Sequence, residues 1–168
     1  SIGLVGSEMC IRDRSLPGVY LGIVMGRHAG FLTASSSLLK KESDDGPNLI
    51  YIPESPSQLD TFLSQVKTIF NKCGRCVIAI SEGIQDKNKK LISQKITKKT
   101  EYDAHGNIQL SGTGSLGDYL SEEIKEKLKL PRVRADTLGY PQRCFLGSTS
   151  EIDQKAVSYT HLRAHETD

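Results

Sequence analysis

Apolar positions along the chain fall into short runs separated by polar turns. Val19-Tyr20-Leu21-Gly22-Ile23-Val24 is mostly apolar and partly β-branched, which predicts a buried strand. Phe31 to Leu39 then predicts a helix. Leu49-Ile50-Tyr51-Ile52 predicts a second short strand, stopped by Pro53, with Glu54 just beyond its end. Pro56 can open a helix in which Leu59, Phe62, Leu63, Val66, Ile69 and Phe70 recur at helical spacing. Cys76 to Ile80 predicts a third strand. Leu116, Leu120, Ile124 and Leu128 mark the inward face of a helix over 116–128. Arg132 to Leu138 alternates as a fourth strand, and Ser150 to Asp153 opens a last helix. Strands alternating with helices predict an α/β fold with a mainly parallel sheet. Residues 84–111 are polar and irregular and read as an excursion. It contains a turn at Tyr102 to Asn107, where His105 takes a structural role.

The turns after the strands carry the candidate chemistry. Met25-Gly26-Arg27-His28-Ala29-Gly30 sits at the C-terminal end of the first strand, where open α/β sheets bind ligands. Gly26 and Gly30 let the backbone come close to a ligand, and Arg27 offers a fork of donors suited to phosphate. The same residues also suit an ordinary strand–helix turn with a surface ion pair. Ser81-Glu82-Gly83 follows the third strand. Glu82 faces the same sheet edge if the strands are parallel and suits ligand hydroxyls, or else caps a helix or joins an ion pair. Gly139-Tyr140-Pro141-Gln142-Arg143 follows the fourth strand. Arg27, Glu82, Arg134, Tyr140 and Arg143 are thus candidates for one rim. Guanidiniums, a carboxylate and a phenol together suit a phosphorylated polyol.

Two further motifs resolve into ordinary structure. Cys73-Gly74-Arg75-Cys76 is a CxxC, the spacing of a redox pair or half a zinc site. No second CxxC follows it, and it reads as a glycine helix end leading into a strand. Gly112-Thr113-Gly114-Ser115-Leu116-Gly117 matches GxGxxG, with Asp136 at the distance of a ribose-binding acid. It follows three strand–helix units instead of a first strand, and reads as a loop starting the helix over 116–128.

Composition narrows the classes. The chain has 168 residues, enough for one α/β domain or part of a larger one. Its apolar content of 37% supports a core, and no apolar run reaches the length of a membrane span. A formal charge of +2 does not argue for nucleic acid, and the Lys-rich stretch 87–99 reads as a solvated face. Four cysteines at this length do not form a secreted disulfide framework, which predicts a reducing, cytoplasmic compartment. The ends stand apart. Residues 1–14 and 157–168 lack apolar periodicity and resemble translated sequencing-library adapter, so both are expected to be non-native. Cys10, His161 and His165 then carry no chemistry. The two histidines share a helix face, but no third metal ligand is indicated. The chain reads as a fragment whose believable portion is 15–156.

Met25-Gly26-Arg27, Ser81-Glu82-Gly83 and the run from Arg134 to Tyr140-Pro141-Gln142-Arg143 resemble, in order and spacing, the sugar-phosphate half of the phosphofructokinase family. The resemblance covers about residues 17–156. The strings MGRHAGFLTAS, DGPNLIYIPE and DAHGNIQLSGTG are similar to its diphosphate-dependent branch. The resemblance implies a three-layer sandwich that is part of the phosphofructokinase fold. It implies that Met25, Gly26, Arg27 and Glu82 contact fructose 6-phosphate. It places Tyr140, Pro141, Gln142 and Arg143 at the 6-phosphate end, with Tyr140 standing where many members have His. Arg134 matches an Arg that reaches into a neighbouring subunit's site, which implies a homo-oligomer.

The family's glycine-rich donor loop and TIDND-like segment do not occur in the chain and are expected upstream of Ser15. With them go the general base, the magnesium-binding acids and the residues that select the donor. The resemblance therefore implies a glycolytic 6-phosphofructokinase that uses Mg²⁺ and phosphorylates the 1-hydroxyl of fructose 6-phosphate, with diphosphate as donor. This chain supplies the acceptor site and is inactive alone. The alternatives are an ATP-dependent enzyme or a non-catalytic, sugar-phosphate-binding regulatory subunit.

Overall fold

A computed structural model describes residues 17–42, 45–92, 115–130 and 132–139, together with 151, 152 and 155. Four parallel strands form its sheet: β1 (Gly18–Val24), β2 (Leu49–Tyr51), β3 (Arg75–Ser81) and β4 (Val133–Thr137), in spatial order β2-β3-β1-β4. β1 and β3 are the inner pair. Every residue of each is buried after the first, as an apolar strand covered on both faces requires. Their register sets Leu21 against Ile78 and Val24 against Ser81. β4 joins β1 with Val19 opposite Val133, and β2 joins β3 with Leu49 opposite Ile78.

Alternation along β1 divides the core. Val19, Leu21 and Ile23 join Cys76, Ile78, Ile80 and Val133 in one cluster. Against it pack Phe62, Leu63 and Val66 of α2 (Leu59–Cys73) and Leu116, Leu120 and Ile124 of α3 (Ser115–Leu128). Tyr20, Val24, Val77, Ala79 and Leu138 form a second cluster on the opposite face, joined by Leu32 of α1 (Phe31–Ala34). The fold is α/β with three layers, as expected. No helix among the described residues is long and apolar enough to cross a membrane.

Local chemistry explains the helix boundaries. α2 carries Asp60 in its first turn and Lys72 in its last, which suits the helix dipole. It ends where Gly74 turns left-handed at φ 69° and its N–H donates to Phe70 O at 2.8 Å. The CxxC is therefore a helix end and a strand start, and neither Cys73 nor Cys76 is in a disulfide. Gly117 of the GxGxxG lets α3 lie close to the sheet: a Cβ there would sit 3.0 Å from the Ala135 Cβ. Gly112, Gly114 and His105 lie outside the described residues, as do most of the expected excursion and both ends. The helix expected over 31–39 is shorter than predicted. After Ala34 it tightens into a 3₁₀ turn, Ser35–Leu39. There Ser35, Ser36 and Ser37 each donate a hydroxyl hydrogen bond to the carbonyl three residues back, at 2.6–2.8 Å. Such local bonds compete with the regular helix.

β2 is the thin edge of the sheet, and Tyr51 anchors it. Its ring meets Phe62 edge-on at 5.2 Å, and its hydroxyl donates to Gln65 Oε1. Burial, with a contribution from the Cys76 thiol, pushes the Tyr51 phenol from 10.0 up to about 12. Between these values the unfolded chain releases a proton that the folded chain keeps. This contribution to stability is therefore complete below pH 10 and is lost as pH rises through 12. Tyr51→Phe should cost about 0.5–1.5 kcal/mol at about pH 8 through the lost hydrogen bond, measured by urea unfolding. Between about pH 8 and about pH 11 it should lose less further stability than wild type. Equal losses over that range would assign the alkaline weakening to other groups.

Candidate functional site

The C-terminal ends of β1 and β3 are built as one unit. Strand pairing runs one step past β3, because the Glu82 N–H donates to Val24 O at 2.9 Å. The Ser81 hydroxyl then donates to Gly26 O. The Gly26 N–H donates to Glu82 Oε1 at 3.5 Å. Gly26 has φ 145°, and a Cβ on it would lie 2.5 Å from Ala29 O. Only glycine adopts this conformation without strain. A Cβ on Gly83 would fall inside the Arg27 carbonyl group. Two segments 56 residues apart therefore interlock backbone against backbone.

Above this unit lies an open cleft of about 400 Å³. It is lined by the turn from Met25 to Ala29, by Phe31 and Leu32, and by Glu82. Met25, Gly26, Arg27 and Glu82 are all partly buried, whereas His28 and Ala29 are exposed. The cleft is thus lined by one arginine and one glutamate. Those groups can hold an anion and hydroxyls at once. Phe31, 77% exposed, adds an apolar wall.

Met25, Gly26, Arg27 and Glu82 line one cleft. Arg134 does not join their rim. It pairs with Tyr20, near the start of β1, and lines a separate small cleft with Pro17, Gly18, Arg75 and Arg132. Its place in the strand explains this, because Met25 follows the far end of β1 and successive residues rise about 3.3 Å each. Tyr140, Pro141, Gln142 and Arg143 lie outside the described residues. Up to that point, β4 leaves the sheet beside the end of β1, with the Leu138 N–H donating to Ile23 O at 2.9 Å. Gly83, Ser81 and Glu54 are structural parts of the site that the sequence reading did not assign. The signal for all three was their place just inside or beyond a strand's C-terminal end. Among the described residues no group of three His, Cys, Asp or Glu could hold a metal ion.

Fold and site together define an α/β protein with a ligand-sized turn on the C-terminal edge of a parallel sheet. A family model described as phosphofructokinase matches residues 13–166. The chain belongs to the phosphofructokinase family. It is 55% identical over 149 residues to the pyrophosphate–fructose 6-phosphate 1-phosphotransferase of Rhodospirillum rubrum, covering 89% of this chain and 37% of that protein. It is 32% identical over 134 residues to the sulfofructose kinase of Alkalicoccus urumqiensis, covering 80% of this chain and 32% of that one. The crystal structure of a pyrophosphate-dependent phosphofructokinase from Marinobacter aquaeolei superposes with a TM-score of 0.66 at 21% identity, over 92% of this chain and 35% of that chain. The chain thus spans about a third of the length of each of these relatives.

The interlock carries a direct test. Gly83→Ala forces backbone apart at Arg27, and such overpacking costs about 1–3 kcal/mol. Urea unfolding should show that loss, and the amide resonances of Met25, Gly26 and Arg27 should move. Unchanged stability and resonances would contradict the contact between the two strand ends.

Proposed function

We propose that this chain forms the acceptor side of a phosphotransferase that phosphorylates the 1-hydroxyl of fructose 6-phosphate. The observation that carries the reading is the meeting of Arg27 and Glu82 across one cleft over a glycine backbone. The Glu82 carboxylate accepts hydrogen bonds from sugar hydroxyls and so orients the ring. The Arg27 guanidinium neutralises phosphate charge near the sugar. Gly26 lets the turn fold back against Ala29 and set its N–H on Glu82. Tyr140, Pro141, Gln142 and Arg143 take the 6-phosphate end. The chain's contribution to rate is therefore positioning and charge neutralisation, on which phosphoryl transfer depends.

The 55% identity to the Rhodospirillum rubrum protein favours diphosphate over ATP as donor. In the complete enzyme, charge neutralisation on the transferring phosphoryl group would come from Mg²⁺. Among the described residues no group of three His, Cys, Asp or Glu could hold it. Arg134, turned away from this chain's own cleft, serves the site of a second copy in a homo-oligomer. A cytoplasmic, glycolytic setting fits the same reading.

The test joins this segment to the remaining part of the Rhodospirillum rubrum relative. One charge-assisted hydrogen bond is worth about 1.5–3 kcal/mol, so Arg27→Ala should raise the KM for fructose 6-phosphate roughly ten- to a hundred-fold. The KM for diphosphate should stay within about two-fold, because Arg27 binds the acceptor. Equal losses for donor and acceptor would overturn the acceptor assignment.

A further inference from the structure

Glu54 lies beyond the end of β2 and has no part in the cleft lining, yet it is tied to the turn that forms the cleft. Its Oε1 accepts a hydrogen bond from the Gly30 N–H at 2.8 Å, across 24 residues of chain. Gly30 is the point where the turn re-enters the fold. It is buried, while His28 and Ala29 before it are exposed. Its carbonyl accepts the Ala34 N–H at 2.8 Å, which starts α1, and no side-chain cap comes from Gly30 itself. A Cβ at Gly30 would collide with Ile52 and lie 2.8 Å from Glu54 Oε2. The far end of the turn is therefore seated on the exit of β2 as tightly as its near end is seated on β3.

The two carboxylates that touch the turn differ in what else they face. Glu82 lines the cleft and holds Gly26 at only 3.5 Å, so a ligand's hydroxyls draw on the same oxygens. Glu54 is exposed and does not line the cleft, so its bond to Gly30 does not compete with a ligand there. We propose that Glu54 is a positioning residue for Arg27. By fixing Gly30 it holds the Met25–Gly30 turn at its far end, so that the guanidinium keeps one place while Glu82 turns to the substrate. Glu54 acts through the backbone and touches no substrate. The proposal rests on the acceptor reading above for what Arg27 binds.

The test uses the 168-residue chain as wild type, Glu54→Ala and Glu54→Gln, the last retaining an acceptor oxygen. In Glu54→Ala the Gly30 amide should exchange with solvent about ten-fold faster, and the Met25, Gly26 and Arg27 resonances should move. Amides of Leu21 and Ile78 should keep their protection and so report an intact sheet. The dissociation constant for fructose 6-phosphate, followed by the same spectra, should rise about ten-fold, a loss of one hydrogen bond's worth of ordering. Glu54→Gln should recover most of both effects. If Glu54→Ala fails to fold, Glu54→Asp, one methylene short of Gly30, gives the same comparison. Unchanged Gly30 exchange, unmoved Arg27 resonances, or unchanged fructose 6-phosphate affinity in a folded variant would each overturn the proposal. Absence of fructose 6-phosphate binding by wild type would instead sink the acceptor reading. The exchange and resonance results would then decide alone whether Glu54 holds the turn.

Discussion

The register between β1 and β3 is the constraint on which the site depends. It sets Val24 opposite Ser81, and from that pairing everything above follows: the Glu82 amide on Val24 O, the Ser81 hydroxyl on Gly26 O, and Gly83 against the Arg27 carbonyl. A slip of one residue would exchange the two faces of a strand. Here that would turn Leu21, Ile78 and Ile80, all fully buried, out of the cluster made by α2 and α3. The hydrophobic core therefore sets where the backbone of Arg27 stands relative to that of Glu82.

Much of the fold was legible because parallel strands buried on both faces are written as unbroken apolar runs. Val19 to Val24 and Cys76 to Ile80 are found within one residue of the predicted limits. The stripe through Leu59, Phe62, Leu63 and Val66 likewise marks α2, and Gly74 marks its end. Other features depend on partners that periodicity does not encode. The serine run after Ala34 reads as helix, but its hydroxyls tighten the chain into a 3₁₀ turn. Arg134 sits on a strand whose end is close to the site, yet its register with Tyr20 puts it at the other end of the sheet. Glu54 was visible at a strand end, and only the fold shows that it reaches Gly30.

The site combines two kinds of rigidity. At Gly26 and Gly83 the backbone is close-packed, and side-chain substitutions there meet main chain. At Gly26 and Gly30 the turn is held by carboxylates from two different strand ends. Between them His28 and Ala29 are free of the core, and Arg27 is half-buried at the edge of the cleft. In the acceptor reading this arrangement presents one cation and one carboxylate to the same cleft, which suits a phosphorylated, hydroxylated ligand. Arg132 and Arg134 belong to a different surface at the opposite end of the sheet.

If the chain forms an acceptor site, Arg27 and Glu82 bind one ligand together. The most direct measurement is a titration of the ¹⁵N-labelled 168-residue chain with fructose 6-phosphate, with inorganic phosphate as the comparison. Fructose 6-phosphate should move the amides of Gly26, Arg27, Glu82 and Gly83 with a single dissociation constant. Inorganic phosphate, which has no sugar hydroxyls, should move Arg27 and leave Glu82 in place. Shifts centred on Gly18, Arg75 and Arg132, or equal responses of Glu82 to both ligands, would contradict the account.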